Sequence, residues 1–334
     1  MKKIIVLGLL IISQNILLGQ IKQVEKKNCY DKSAALKGKR FVEWECGKSS
    51  GVIDCNEKLE VDEGSNTIFS KGSGEPFTGT CETCHMNGIK ERQVRFVNGK
   101  EDGLDTTHYM SGCVMVTRNH IQGVENGQWN YYYDSTSNLA WEMNYFAGQK
   151  HGKHIFFTKK GDTTLWENYK YGLLDGKKIK YYSKSRIQTE INYQKGLMHG
   201  AFINYNREGV IIEKINYKEG KRNGESVYFY DDGKLLRTES WSMDVKNGEF
   251  KTFYYQQFIQ TLESYVKGKR EGAFEEYYPD QKPKRIASYR KDVLVEEHEF
   301  DVHGNETKTF GAKAGAKTED DQVPGGKKKK KKKK

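Results

Sequence analysis

The chain has 334 residues, 36% of them hydrophobic, with 21 Tyr and 34 Gly but only 4 Pro. So few apolar residues in so long a chain exclude a thick-cored globule and point to a thin all-β body. The formal net charge is +11 at pH 7, but eight of those charges are Lys327 to Lys334 and two more are Lys2 and Lys3, so the body is near neutral and shows no basic face for nucleic acid.

The chain opens on Met1-Lys2-Lys3, an apolar run from Ile4 to Ile12, a polar break at Ser13-Gln14-Asn15, and Ile16-Leu17-Leu18. A bilayer span needs about 20 apolar residues, so residues 1–19 read as a secretory signal with Gly19 before the cut. Leu17 is a poor residue at its place in such a site. The prediction is an exported protein, in the periplasm, on the outer-membrane surface or secreted.

All six cysteines, Cys29, Cys46, Cys55, Cys81, Cys84 and Cys113, lie in the first third of the chain. An even count in an exported chain predicts disulfides, with 15 pairings open. Residues 20–74 are expected to form a stapled N-terminal cap, because repeat arrays fray and grow at bare ends. A zinc site is the runner-up reading of these cysteines.

The stretch TGTCETCHMNG, from Thr78 to Gly88, holds Cys81, Cys84 and His85 in the spacing of covalent haem attachment. The period that follows removes that reading. Gly-x-x-x-Gly recurs at Gly99/Gly103, Gly123/Gly127, Gly148/Gly152, Gly172/Gly176, Gly196/Gly200, Gly220/Gly224 and Gly268/Gly272, in steps of 24 residues with one of 25. Gly79 and Gly248 keep the second glycine of the pair. Counted from that second glycine, an aromatic stands five places on in most units, as in Tyr132, Phe157, Tyr181, Tyr205, Phe229, Phe253 and Tyr277, and another stands seventeen on, as in Phe96, Tyr169, Tyr193, Tyr217, Trp241, Tyr265 and Tyr289. Gly79 and Gly88 sit in this frame. Cys84 takes the aromatic place, and Cys81 the place of Phe202, Phe250 and Phe274. Three apart on a strand, the two sulfurs point to opposite faces. No haem and no other cofactor is expected.

Each unit reads as two short strands and two turns. Tyr230-Asp231-Asp232-Gly233-Lys234 fits a three-residue hairpin loop closed by a left-handed glycine. Tyr217 to Lys221 is assigned the same form. Alternation then places Ile211, Tyr217, Val227, Phe229, Leu235 and Trp241 on one apolar face, with Phe253, Ile259 and Tyr265 continuing it. The other face carries Phe202, Tyr228, Tyr230, Phe250, Tyr254, Phe274 and Tyr278 among polar residues. That aromatic row is the expected binding surface, weighed against a cross-strand ladder that only stiffens the sheet. For the second glycine two readings stand, a bare backbone under an aromatic ring of the adjacent unit or a plain turn residue.

Units such as YKEGKRNGESVYFYDDGKLLRTE (Tyr217 to Glu239), GQKHG and GLMHG resemble the membrane occupation and recognition nexus (MORN) repeat, in the bacterial variant often labelled an antitoxin of a toxin–antitoxin system. The lead-in LEVDEGSNTIFSKGSGEPFTG (Leu59 to Gly79) resembles that variant too. The Tyr-x-Gly-x-Trp half of the better-known repeat is missing. The resemblance covers roughly Leu59 to Glu297. It implies a single-layer antiparallel meander that binds proteins or lipids and has no catalytic residues.

The reading is therefore an all-β, elongated single-layer antiparallel β-meander of 24-residue hairpin repeats over residues 75–311, with a disordered Lys-rich tail at 312–334. No nucleophile elbow, phosphate loop or His-Glu-x-x-His occurs, the eight His are scattered, and Asp231-Asp232-Gly233 resembles a calcium loop only loosely. Neither an enzyme nor a metal site is expected. The expected function is a non-catalytic scaffold for a protein partner. The alternative is an antitoxin or immunity protein neutralising a toxin, a role that export from the cytoplasm argues against. The Lys327–Lys334 run suits an anionic envelope surface, though a solvated tail is the plainer reading.

Overall fold

The computed structural model describes residues 50–134, 136–183 and 186–311. The expected signal segment, Cys29, Cys46 and the lysine tail lie outside them. The chain divides into two compact units, one ending at Lys221 and one starting at Arg222. Each is an open antiparallel meander in which strands pair with their neighbours in the chain.

The first unit opens on a small hairpin, Leu59–Asp62 with Thr67–Ser70. The preceding strand Val52–Asp54 runs parallel to the first repeat strand, Gly79–Cys84. Between them a single turn of helix, Cys55–Lys58, is capped by Asp54, whose carboxylate accepts from the N–H groups of Asn56 and Glu57. Leu59, Cys81, Val94 and Phe96 are buried here, with Ile53, Ile68 and Phe77 against them. The Cys55–Cys81 disulfide ties the helix to the repeat strand. Of the span expected to form a cap, residues 20–74, only residues 50–74 are described.

The repeat shows why its glycines recur. One hairpin joins Leu139–Phe146 to the short strand Gln149–Lys150 through Ala147 and Gly148 alone, with φ of 48° and 76°. Two consecutive left-handed residues make the tight turn that matches strand twist, so the first glycine of each pair is a turn residue. Tips are also stitched to one another: Gly148 N–H donates to Glu125 O at 2.9 Å, and Gly196 N–H to Leu174 O at 2.8 Å.

The second glycine sits in a bulge. Phe146 pairs with Gln149, yet Trp141 pairs with Phe156, so extra residues accumulate around Gly152, whose φ is +78°. A bulge takes a backbone group out of the ladder. Here Asn144 Nδ2 donates to Lys153 O at 2.8 Å. Asn119, Asn168 and Asn192 make the same bond to Gln128, Lys177 and Ala201. Thus the second glycine is required by a left-handed bulge rather than by an overlying ring. At Gly79 a ring does lie close, 2.6 Å from where its Cβ would be, but it belongs to Phe77, two residues earlier in the chain, and not to an adjacent unit.

The opposite ends of the strands are closed as expected. Tyr230 N–H donates to Lys234 O at 2.8 Å and Gly233 N–H to Tyr230 O at 2.9 Å, with Gly233 left-handed. The Tyr217–Lys221 turn departs from expectation. It is a two-residue loop, with Glu219 and Gly220 both left-handed between strands that end at Lys218 and begin at Lys221.

The expected face assignment is corrected. The register slips between Tyr228 and Phe229, and again between Thr252 and Phe253. A one-residue slip moves every later side chain to the other face. Trp241 therefore pairs with Gly224 and Tyr265 with Gly248. Both join Phe250 and Phe274 instead of Phe229 and Phe253. Trp241, Phe250, Tyr265, Phe274 and Tyr289 stack edge-to-face, with centroids 5.2, 5.3, 5.4 and 4.8 Å apart in turn. Such pairs contribute about 0.5–1.5 kcal/mol each beyond burial. They form a spine from the places two and seventeen residues after the second glycine. In the first unit the spine includes Trp129, Tyr145, His154 and Tyr169, with centroids 4.7, 5.8 and 4.6 Å apart.

Candidate functional site

The Cys-x-x-Cys-His stretch spends its sulfurs on the fold. Cys81 is fully buried and bonded to Cys55, and Cys84 is in a disulfide as well. Neither sulfur is left for a thioether to haem. His85 Nε2 lies 2.9 Å from His108 O. Cys113 is buried, and Cys29 and Cys46 lie outside the described residues.

The expected binding row is absorbed into structure to different degrees. Phe250 and Phe274 are only 8% and 7% exposed, inside the spine. Phe202 packs 6.4 Å from Tyr217, centroid to centroid. Tyr228 lies under Arg237, 3.9 Å from guanidinium carbon to ring centre, and donates to Glu239. Tyr230, Tyr254 and Tyr278 donate to the carbonyls of Phe253, Tyr277 and Phe300 at 3.2, 2.8 and 3.0 Å. These three phenols tie each wide turn to the next repeat. These contacts are those of a cross-strand ladder, while Phe202, Tyr228, Tyr230, Tyr254 and Tyr278 stay half-buried.

The spine also holds charge. Asp105 is 1% exposed and receives Arg92 through two bonds, at 2.9 and 3.0 Å. Arg92 also reaches Glu101, and Arg118 Nη1 lies 3.4 Å from Asp105. Glu101, Asp105 and His120 offer ligand atoms within 4.8 Å of one another. Two guanidinium groups already balance the two carboxylates, so a cation would have to displace Arg92 from both. The donor set fits a structural ion cluster, with the buried charge paired as burial requires.

What remains open is the edge of narrow hairpin tips in the first unit. Ile121, Val124, Phe146, Tyr171, Leu173 and Leu197 are 45–57% exposed. They flank the first glycine of consecutive pairs, so one or two project from each tip. Two of these glycines let an apolar neighbour lie against them: Val124 Cγ1 is 3.4 Å from the Cβ position of Gly148, and Leu173 Cδ2 is 3.6 Å from that of Gly196. Phe146, His151 and Tyr171 cluster, with centroid separations of 5.6, 5.1 and 6.3 Å around the trio. The rings are thus held in place while half-exposed. In the second unit Val245, Val266 and Val293 stand at the same tip places and are 44–67% exposed, but among charged residues, with Arg222 and Arg270 on Asp244 and Asp292.

Sequence reasoning missed this strip because it scored positions from the second glycine. The signal was present: Ile121, Phe146, Val124, Leu173 and Leu197 stand two before or one after the first glycine. An apolar residue at a solvent-facing turn, repeated in register, is what should have been counted.

No family model matches the chain, and no curated protein matches it. Among solved structures it is similar to the Photorhabdus luminescens Tc holotoxin pore, at 12% identity over 73% of this chain and 16% of that chain, with a TM-score of 0.13. At that score the likeness carries no argument about fold or function.

Proposed function

We propose that this chain is an exported, non-catalytic repeat scaffold that binds a protein partner. The observation that carries the reading is the strip of half-exposed apolar side chains along consecutive tips of the first unit. Contiguous apolar surface on a soluble protein marks an interaction site, whereas scattered single residues need no explanation. Disulfide-bonded cysteines accord with an oxidising compartment. The resemblance to MORN repeats accords with binding.

The test is a photo-cross-linking residue placed at Phe146 or Leu173 in producing cells, with Tyr255 as a control position. A single discrete protein adduct from the strip, absent at Tyr255, is expected. Adducts with lipid alone, or none at either strip position, would refute the reading. Mass spectrometry of the adduct would also decide the antitoxin alternative, because a toxin acting as partner would itself be captured.

A further inference from the structure

The wide turns of the second unit carry a tyrosine pair that neither the spine nor the strip uses. We propose that Tyr230 and Tyr255 are a modification site: one-electron oxidation joins their rings into an intramolecular dityrosine that bridges two consecutive wide turns. This chemistry is independent of the binding role.

Three observations carry it. First, the rings already meet. Tyr230 opens the turn closed on Lys234, and Tyr255 lies in the next one, closed between Tyr254 and Phe258. Their centroids are 5.4 Å apart with the planes at 76°, an edge-to-face contact. The Tyr230 phenol is anchored on Phe253 O. Tyr255 is 51% exposed, so its ring is free to turn and bring the carbon beside its hydroxyl onto that of Tyr230.

Second, the phenol proton has somewhere to go. A phenol gives up an electron readily only when its proton leaves too. Tyr255 O–H donates to Asp232 Oδ2 at 2.7 Å. That bond first, and the Lys234 N–H next, hold the Asp232 carboxyl below the usual carboxylate range, so at neutral pH it is ionised and able to accept. Lys234 Nζ stands 3.6 Å from the Tyr255 ring centre and 3.4 Å from Asp232. A cation over the ring disfavours a bare radical cation, so electron and proton leave together.

Third, a second tyrosine pair lacks these features. Tyr109 and Tyr131 have centroids 6.4 Å apart, and both are half-buried. Tyr109 O–H donates to the Tyr131 hydroxyl and to Tyr132 O at 3.0 and 2.7 Å, a phenol and a carbonyl rather than a carboxylate.

In the reaction each phenol loses one electron and one proton. The two phenoxyl radicals form one carbon–carbon bond between positions ortho to the hydroxyls. The hydrogens on those carbons then move to the oxygens and restore both phenols. Two electrons and two protons leave in total. A peroxide working through a one-electron carrier takes them: hydrogen peroxide becomes two waters, and peroxydisulfate becomes two sulfates while the protons pass to solvent.

The test oxidises the full chain with photo-excited tris(bipyridyl)ruthenium and peroxydisulfate. The monomer fraction is then read by dityrosine fluorescence and by mass spectrometry of its peptides. The main cross-linked peptide should join Tyr230 to Tyr255. Tyr255→Phe and Tyr230→Phe should each lose it, and Tyr109→Phe should keep it. Asp232→Asn should slow its formation. Tyr255→Phe should keep the wild-type circular dichroism, because the ring is half-exposed, so loss of the bridge there reports chemistry and not unfolding. Four outcomes overturn the proposal: a main bridge between Tyr109 and Tyr131, bridges formed only between chains, undiminished monomer fluorescence in Tyr255→Phe, or an Asp232→Asn variant that cross-links as fast as wild type.

Discussion

At the residue scale, the repeat admits polar side chains into its spine. His154 takes the place that Phe250 and Phe274 fill in later repeats. It is fully buried, its Nε2 lies 2.9 Å from Asn144 O, and its Nδ1 has no hydrogen-bond partner among the described residues. Burial pushes its pKa below the ordinary histidine value, with Lys150 adding to that and the Asn144 bond opposing it. The native state therefore holds it neutral while the unfolded chain takes up a proton below about pH 6.5. Stability should be full above that value and fall as the pH drops toward the lowered native pKa. Denaturant unfolding at pH 7.5 and 5 should show the loss, and His154→Phe should reduce it. A His154 imidazole that titrates normally by NMR would contradict this account. Asn168 offers a second residue-scale test, since its side chain satisfies Lys177 O at the bulge. Asn168→Ala should cost about 1 kcal/mol in urea unfolding, and no measurable loss would mean that water replaces the bond.

At the element scale, the narrow turn and the terminal strand each make a forecast. Gly148 combines a φ of +76° with a Cβ position 3.4 Å from Val124 Cγ1. Gly148→Ala places an L-residue in the left-handed region and should cost about 1–2 kcal/mol, measured as a lowered urea midpoint at unchanged slope. The last strand, Glu306–Phe310, is held on Val293–Phe300 partly by His298, whose two ring nitrogens meet Glu296 and Glu306. Lys308 reaches Glu297 and Glu299 beside it, and Arg285 shares Glu297. The bond to Glu296 first, and that to Glu306 next, raise the His298 pKa. A raised histidine contributes below its unfolded pKa, and that contribution is lost as the pH rises through the native value. Amide exchange in Glu306–Phe310, corrected for its intrinsic pH dependence, should therefore accelerate relative to Pro283–Arg290 above that value. Equal protection of the strand on both sides would count against the clasp.

At the scale of the whole molecule, the described repeats are stabilised by contacts with sequence neighbours, so stability should scale with repeat number. Removing residues 173–196 joins Gly172 to Leu197, which restores the same Gly-Leu tip and the 24-residue frame. The shortened chain should fold with the same far-ultraviolet circular dichroism shape. Its denaturant slope should fall in proportion to the surface removed. A chain that aggregates or loses cooperative unfolding after this deletion would show that the repeats are not interchangeable. Ahead of the first repeat strand, Val52–Asp54 pairs along Gly79–Cys84, tied on by the Cys55–Cys81 bond, and so covers a strand edge that would otherwise be open.

The sequence by itself determined the repeat, its period, the all-β meander and the wide turn at Asp231-Asp232-Gly233. Glycine and aromatic spacing report local backbone needs, and those are written one residue at a time. Even the asparagines at 119, 144, 168, 192 and 216 were legible as a period, although their task was not. Three matters needed the tertiary structure. A bulge adds one residue to one strand, and alternation cannot reveal it; so the sequence put Trp241 and Tyr265 on the face opposite Phe250 and Phe274, whereas pairing register puts all four in one spine. Which cysteine meets which depends on distance in the fold, and Cys81 found Cys55. Whether an apolar residue lies inside or in solvent depends on what covers it. For that reason Phe250 and Phe274, from the aromatic row with the strongest sequence signal, lie buried in the spine, while tip residues with the weaker signal are half-exposed.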